Sequence, residues 1–292
     1  MPLRHILAAL VVVAIWGFNF VVIKLSVNAL PPILAAGIRF AFASWPLVFF
    51  IRPPKTEWYK VVLFGLTFGF ALYSFLNFAL SMGMPAGLAS VVLQVQAFFT
   101  MLIAFFVLHE RPRAQQIIGA IIAFAGIGVM AIDRFEGAQL WPFALTILAA
   151  ISWGVANNVA KTFGGANPVA TTVWGGLVAS FSLIGLSLVL DGPQPLIDFV
   201  VAPDLYTVGV LAFLAYPATL FGMAIWNHLL ALHPASIVAP FTLLVPITGL
   251  LSGYLVLGET VAPLEMAGGA LIVLGIAISV FRRRRKSNTV PV

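Results

Sequence analysis

The chain has 292 residues, 62% hydrophobic and only 8% charged, against roughly 25% charged in a soluble domain, so the solvent it is suited to is the bilayer. Its formal charge of +6 would suggest nucleic acid in a soluble protein, but five of the fifteen cations form one run, Arg282-Arg283-Arg284-Arg285-Lys286; beside a last span such a run marks a cytoplasmic face and anionic membrane lipids, with no nucleic acid implied. The absence of cysteine excludes disulfides, thiolate chemistry and sulfur-ligated metal together.

A membrane-spanning helix needs about 20 mainly apolar residues. Bounded by proline, glycine or charge, such stretches fall near 4–27, 32–51, 58–82, 85–108 and 114–132, and again near 139–162, 168–190, 204–231, 234–256 and 263–281. The first begins like a signal peptide. It runs too long, holds Asn19 and Lys24, and is followed by no small-residue cleavage site, so it reads as an uncleaved span. The second carries Arg39 about two turns inside. Pro85 and Pro234 open spans, where proline costs little, whereas Pro217, Pro240 and Pro246 are interior and should kink the eighth and ninth spans. The longest connection is the loop Asp191–Asp204. Gly119, Gly126, Gly268, Gly269 and Gly275 permit close packing of the fifth and tenth spans, the expected support or weak-dimer surface of a monomer or weak homodimer.

The two groups of spans echo one another. Trp16-Gly17 followed by Lys24 returns as Trp153-Gly154 followed by Lys161, and Pro85-Ala86 followed by Glu110 returns as Pro234-Ala235 followed by Glu259, displaced by 149 residues. The expected fold is an all-α polytopic membrane protein of ten transmembrane helices: a first five-helix unit over 1–135, a second over 136–286, and a disordered tail over 287–292. If the N-terminus is cytoplasmic, that side collects Arg4, Arg52, Lys55, Lys60, Arg111, Arg113, Lys161 and the five tail cations, while the other keeps Lys24 and Arg134. The positive-inside bias then puts both termini in the cytoplasm. An odd number of spans per unit inverts the second relative to the first, and inverted repeats around a central cavity suit alternating access.

The run from Trp16-Gly17-Phe18-Asn19 to Lys24, then Pro31-Pro32 and Arg39-Phe40, resembles the opening of EamA-type members of the drug/metabolite transporter superfamily. Leu108-His109-Glu110 leading to Gly119 and Gly126, and Leu257-Gly258-Glu259 leading to Gly268 and Gly275, resemble that family too. Within it the chain looks most similar to the YddG-like amino-acid exporters. The resemblance implies a ten-helix basket in the inner membrane, a cavity shared by both halves, and export of small metabolites. One departure is that Thr171-Thr172-Val173-Trp174-Gly175 offers no counterpart of Arg39.

Polar and aromatic side chains at mid-span should turn away from lipid. Trp16, Asn19 and Phe20 share a face of the first span, and Trp153 and Asn157 repeat that face in the sixth, with Asn158 beside them. Tyr73 and Asn77 lie one turn apart in the third span. Gln94 and Gln96 point in different directions in the fourth, and Trp174 lies in the seventh. Each amide alone reads equally as helix–helix glue, since amides bridge packed spans for about 0.6–2 kcal/mol. Together around an inverted-repeat axis they read as cavity lining. Trp45, Trp58 and Trp141 sit near span ends as interface anchors, and Trp226 is open between gate and anchor. Arg39 either binds a substrate carboxylate or braces its helix.

Neutral donors and aromatic faces suit an amino-acid zwitterion, with weak affinity and broad selectivity. No Asp or Glu lies at mid-span, so facilitated transport is expected over proton coupling; the alternative is multidrug or other metabolite efflux by proton antiport. His109-Glu110 is no zinc-protease signature, because Arg113 stands where the second histidine would be. Neither enzyme activity nor a cofactor is expected.

Overall fold

The computed structural model describes residues 1–135, 140–233 and 238–280; the expected tail at 287–292 and the basic run lie outside them. Every regular element among the described residues is helical. Seven helices are long and apolar enough to cross a membrane, and three shorter apolar ones, Ala114–Met130, Phe241–Leu257 and Pro263–Ser279, accompany them.

In chain order the helices are α1 (Leu3–Ala29), α2 (Pro32–Ser44), α3 (Trp58–Ser81), α4 (Ala86–Val107), α5 (Ala114–Phe135), α6 (Leu140–Lys161), α7 (Pro168–Leu190), α8 (205–232), α9 (239–257) and α10 (Pro263–Val280). Their ends follow local chemistry. Proline at the first turn opens α2 and α7, where its missing amide hydrogen is no loss. Asp204 caps α8 by accepting from the Thr207 amide at 2.9 Å and its hydroxyl at 2.8 Å. Gly258, at φ 65°, closes α9 in the left-handed conformation that glycine adopts without strain.

Three expectations are corrected. The second span does not run unbroken to 51: α2 ends at Ser44, before Pro46, and a 3-10 turn, Leu47–Phe49, follows. The Asp191–Asp204 loop contains a short helix, Gln194–Val201, with a proline in its first turn; Leu196 and Phe199 pack it onto the core. Pro246 falls in the first turn after the 3-10 segment Ala239–Leu243, where no intrahelical donor is needed, so the irregularity of α9 precedes it.

The remaining irregularities recur between the halves. α3 relaxes into a π-helix over Gly65–Ala71 and α8 over Leu214–Phe221, starting 149 residues apart, the same step as Pro85 to Pro234. α4 tightens to 3-10 geometry at Leu93–Val95, as α9 does at Ala239–Leu243.

α1 packs on α9, α4 on α6, α2 on α7, and α5 on α10. Glycine makes the last contact close: a methyl on Gly119 would stand 2.3 Å from the Gly275 carbonyl oxygen, and one on Gly126 would stand 2.5 Å from that of Gly268. Since 119 faces 275 and 126 faces 268, the two helices run antiparallel. The main core lies where α1, α2, α3, α4, α6 and α8 meet, around Leu34, Leu76, Leu88 and Leu211.

Candidate functional site

The site begins with Pro217. A proline inside a helix cannot donate to the preceding turn, and the wider π turn around it frees groups that a regular helix would occupy. The Ala218 carbonyl accepts from the Trp16 indole Nε1 at 3.0 Å. The Thr219 hydroxyl donates to the Leu214 carbonyl five residues back, at 2.8 Å, and accepts from Arg39 Nη2 at 3.0 Å. Gly222 keeps the indole's place open, since a methyl there would lie 2.6 Å from Nε1.

Arg39 is 4% exposed. Its guanidinium carbon lies 4.4 Å from the Tyr73 ring centroid and 5.8 Å from that of Phe40, an attraction worth about 2 kcal/mol when desolvated. Its Nε and Nη1 have no hydrogen-bond partner among the described residues. A buried donor left so costs about 1–3 kcal/mol.

Ring contacts carry this centre across both halves. Trp226, in α8 of the second half, lies 5.2 Å from Trp16 of α1; Tyr73 meets Phe68 at 6.0 Å, and Phe68 meets Trp153 of α6 at 6.4 Å. The structure thus joins four of the sequence candidates, Trp16, Arg39, Tyr73 and Trp153, in one line of contacts. It also turns Trp226 inward against Trp16.

A second group bridges α4 and α6. Asn157 Nδ2 donates to Gln96 Oε1 at 2.7 Å and to Thr100 Oγ1 at 3.0 Å; Asn158 Nδ2 donates to the Thr100 and Gly154 carbonyls at 3.0 and 2.8 Å. These bonds are the glue expected of amides between spans. Asn77 Nδ2 likewise ties α3 to the Pro32 carbonyl at 2.9 Å. Buried oxygens remain without partners among the described residues: Oδ1 of Asn19, Asn77 and Asn158, and Oγ of Ser74.

Two candidates stand apart. Gln94 makes no side-chain hydrogen bond among the described residues and is half-buried. Trp174 donates to the Ile51 carbonyl at 3.0 Å and crosses Trp58 at 5.5 Å, which sets it at a helix end. Sequence reasoning missed Thr219 and Phe68. A threonine two residues after an interior proline was the available signal for the first, and nothing marked the second. An apolar groove of about 440 Å³ beside Phe105, Ile117 and Phe124 touches none of these residues. Among the described residues no three His, Cys, Asp or Glu side chains group as metal ligands.

The EamA-like transporter family matches residues 3–132 and 140–281. A protein of Salmonella typhimurium named "Probable amino-acid metabolite efflux pump" is 39% identical over 279 residues, covering 94% of this chain and 93% of that one. Its namesake in Escherichia coli is 39% identical over 282 residues, 94% of each chain. A "Probable terminal-alkyne amino-acid exporter" of Streptantibioticus cattleyicolor is 25% identical over 300 residues, 98% of this chain and 97% of its own. One solved structure, 19% identical, superposes with a TM-score of 0.62 over 98% of this chain and 99% of its own, a likeness of fold alone.

Proposed function

The chain belongs to the EamA-like transporter family, and is accordingly a multi-pass membrane transporter and not an enzyme. From that premise we propose that it exports amino acids, aromatic and apolar ones included, by facilitated alternating access. Ten spans form two inverted five-helix repeats in the inner membrane with both termini cytoplasmic, and the substrate site lies between them. The antiparallel glycine contacts of α5 and α10 support the inverted repeat, as do the π segments of α3 and α8 at matching positions. The excess of cations on one side supports the orientation.

The observation that carries the reading is Arg39. A cation almost without exposure at membrane depth, with two guanidinium nitrogens unpartnered among the described residues, is expensive unless an anion comes to it. The carboxylate of a zwitterion satisfies Nε and Nη1 while Thr219 keeps Nη2 oriented. The Asn19 oxygen and the aromatic faces of Tyr73, Trp16 and Trp153 receive the ammonium group and the apolar side chain. With the carboxylate bound, the site gains no net charge that would bar crossing in either direction, and the substrate's own gradient drives the flux. Affinity stays modest, because most contacts come from aromatic faces and neutral amides.

The test is counterflow in liposomes loaded with a panel of amino acids. Aromatic and apolar amino acids accelerate uptake of labelled substrate, their decarboxylated amines do not, and an imposed pH gradient leaves the rate unchanged. Flux confined to organic cations and strictly dependent on the pH gradient would replace this reading with multidrug antiport.

A further inference from the structure

The apolar groove between α4 and α5 follows from how its walls are packed. The second half of α4 packs on α6, and α5 packs on α10. Two helices joined by the short connection 108–113 thus take different partners and leave a gap between them. Met101 and Phe105 of α4 and Ile117, Ile121 and Phe124 of α5 line it, with Pro112 at its mouth. Its volume is about 440 Å³, and its side chains carry no N–H or O–H donor, so a zwitterionic substrate would lose its hydration there for nothing. Phe105, Ile117, Ile121 and Phe124 are all exposed, which opens the groove sideways to the bilayer. At its far end Phe124 crosses Phe99 at 5.6 Å and Phe98 at 6.4 Å.

The groove has the depth of one leaflet. From the start of α5 at Ala114 to Phe124 is about 15 Å at 1.5 Å per residue, half of a hydrocarbon core about 30 Å thick. Its mouth therefore lies at headgroup level, and that mouth carries one sign of charge. Arg111 and Arg113 flank Pro112, are exposed, and pair with no acid among the described residues. Glu110, the acid beside them, is already matched by Lys161 Nζ at 2.7 Å. Each cation at a membrane surface strengthens attraction to an anionic headgroup about fivefold. A guanidinium suits phosphate in particular, because its planar fork meets two oxygens at once. A second copy fits less well, since a two-fold contact centred here would set these arginines against their own copies. The basic run 282–286 has the same sign and fits no better.

Going beyond the transport reading, we propose that this groove binds an anionic phospholipid. One acyl chain lies along Phe105, Ile117 and Phe124, and the phosphate sits between Arg111 and Arg113. The lipid fills the gap between α4 and α5, and so backs α4 against α6, where Gln96 and Thr100 accept from Asn157. Binding to the folded state alone raises its stability.

The test uses the full chain, purified in a non-ionic detergent, stripped of lipid, and titrated with dioleoylphosphatidylglycerol or dioleoylphosphatidylcholine. Native mass spectrometry counts bound lipid while the thermal midpoint is followed in parallel. Phosphatidylglycerol should bind at least about tenfold tighter, the equivalent of ~1.4 kcal/mol, and raise the midpoint more. Arg111→Gln with Arg113→Gln should abolish that preference. Arg52→Gln with Lys55→Gln, which removes two exposed cations from the connection between α2 and α3 instead, should keep it. Ile117→Trp, which fills the groove, should weaken both lipids.

Equal affinity of the wild type for the two lipids refutes the site. So does an equal loss in the two double variants, the mark of a diffuse basic surface, or binding that Ile117→Trp leaves untouched. Competition by glycerol phosphate at the lipid's own concentration would make this a soluble-anion site, and a dimer that lipid fails to dissociate would make it a subunit contact. Either result overturns the proposal. If the arginine double variant is not monodisperse, each single substitution must cut the preference at least about threefold, and no change in either refutes the site. None of these readouts needs transport, so a protein that moves no amino acid would sink the proposed function and leave this inference to be decided separately.

Discussion

α3 and α8 occupy the same place in the two halves and share one departure from regular geometry, yet different residues produce it. In α3 the π segment contains two glycines pressed onto α7: a methyl on Gly65 would sit 2.5 Å from the Gly175 carbonyl oxygen, and one on Gly69 2.2 Å from the Ala179 Cβ. In α8 the segment contains Pro217, and its loosened turn presents Thr219 and the Ala218 carbonyl to Arg39 and Trp16 of the other half. The stretch Thr171-Thr172-Val173-Trp174-Gly175 of the second half offers no counterpart of Arg39. The two helices thus share the loosened backbone, while the buried arginine bonds to α8 alone. The α3 segment packs on α7, and the α8 segment bonds to the residues of the proposed site.

The largest expected effect separates those two roles at Arg39. Arg39→Leu should lower amino-acid flux about 100-fold, the equivalent of ~3 kcal/mol. Its thermal midpoint in detergent should hold or rise, because two donors without a partner among the described residues leave with the side chain. A variant that transports normally would make Arg39 a brace. Next come the glycines. Gly69→Ala should destabilise by about 1–3 kcal/mol as α3 is forced from α7, read as a lower unfolding midpoint. Gly222→Ala should instead displace the Trp16 indole, reducing flux more than stability; equal loss of both would erase the distinction between the helices. Thr219→Val keeps the shape but removes the hydroxyl that orients Nη2, so flux should fall about fivefold, near 1 kcal/mol, with the fold intact.

The smallest effect concerns how the two helices begin. The Asp204 carboxyl is held below its ordinary value chiefly by the Thr207 amide, and then by the Thr207 hydroxyl. A depressed carboxylate stabilises the fold above its unfolded value, about 3.9, and that contribution is lost as pH falls through the folded value. Glu57, before α3, is held down chiefly by its hydrogen bond from Lys60 and acts in the same direction. Asp204→Asn still caps α8 but does not titrate, so midpoints measured below about pH 4 should fall less steeply than in the wild type. An unchanged slope would assign acid sensitivity elsewhere.

Much of this was legible because the bilayer imposes its own arithmetic. Spans of about 20 apolar residues fix where helices run, and the helix bounds depart from those read in the sequence chiefly where proline or a 3-10 turn intervenes, as at Pro46 and the α9 segment. The aromatic and charged candidates Trp16, Arg39, Tyr73 and Trp153 stood out because mid-span polarity is costly. Trp174 also looked eligible, but depth along a helix does not reveal which carbonyl an indole reaches, and Ile51 claims it at a helix end. Asn157 and Asn158 read as lining or glue until the positions of Gln96 and Thr100 were known.

The sequence by itself determined a duplicated, apolar, helical chain and the short list of polar groups it cannot expose to lipid, because composition and spacing act locally along one helix. Only the tertiary structure decided which of those groups meet. Arg39 with Thr219 spans 180 residues, and Lys24 with the turn after α3 about 60. Such partners are chosen by how helices cross, and crossing depends on the glycine contacts and loosened turns of several spans at once.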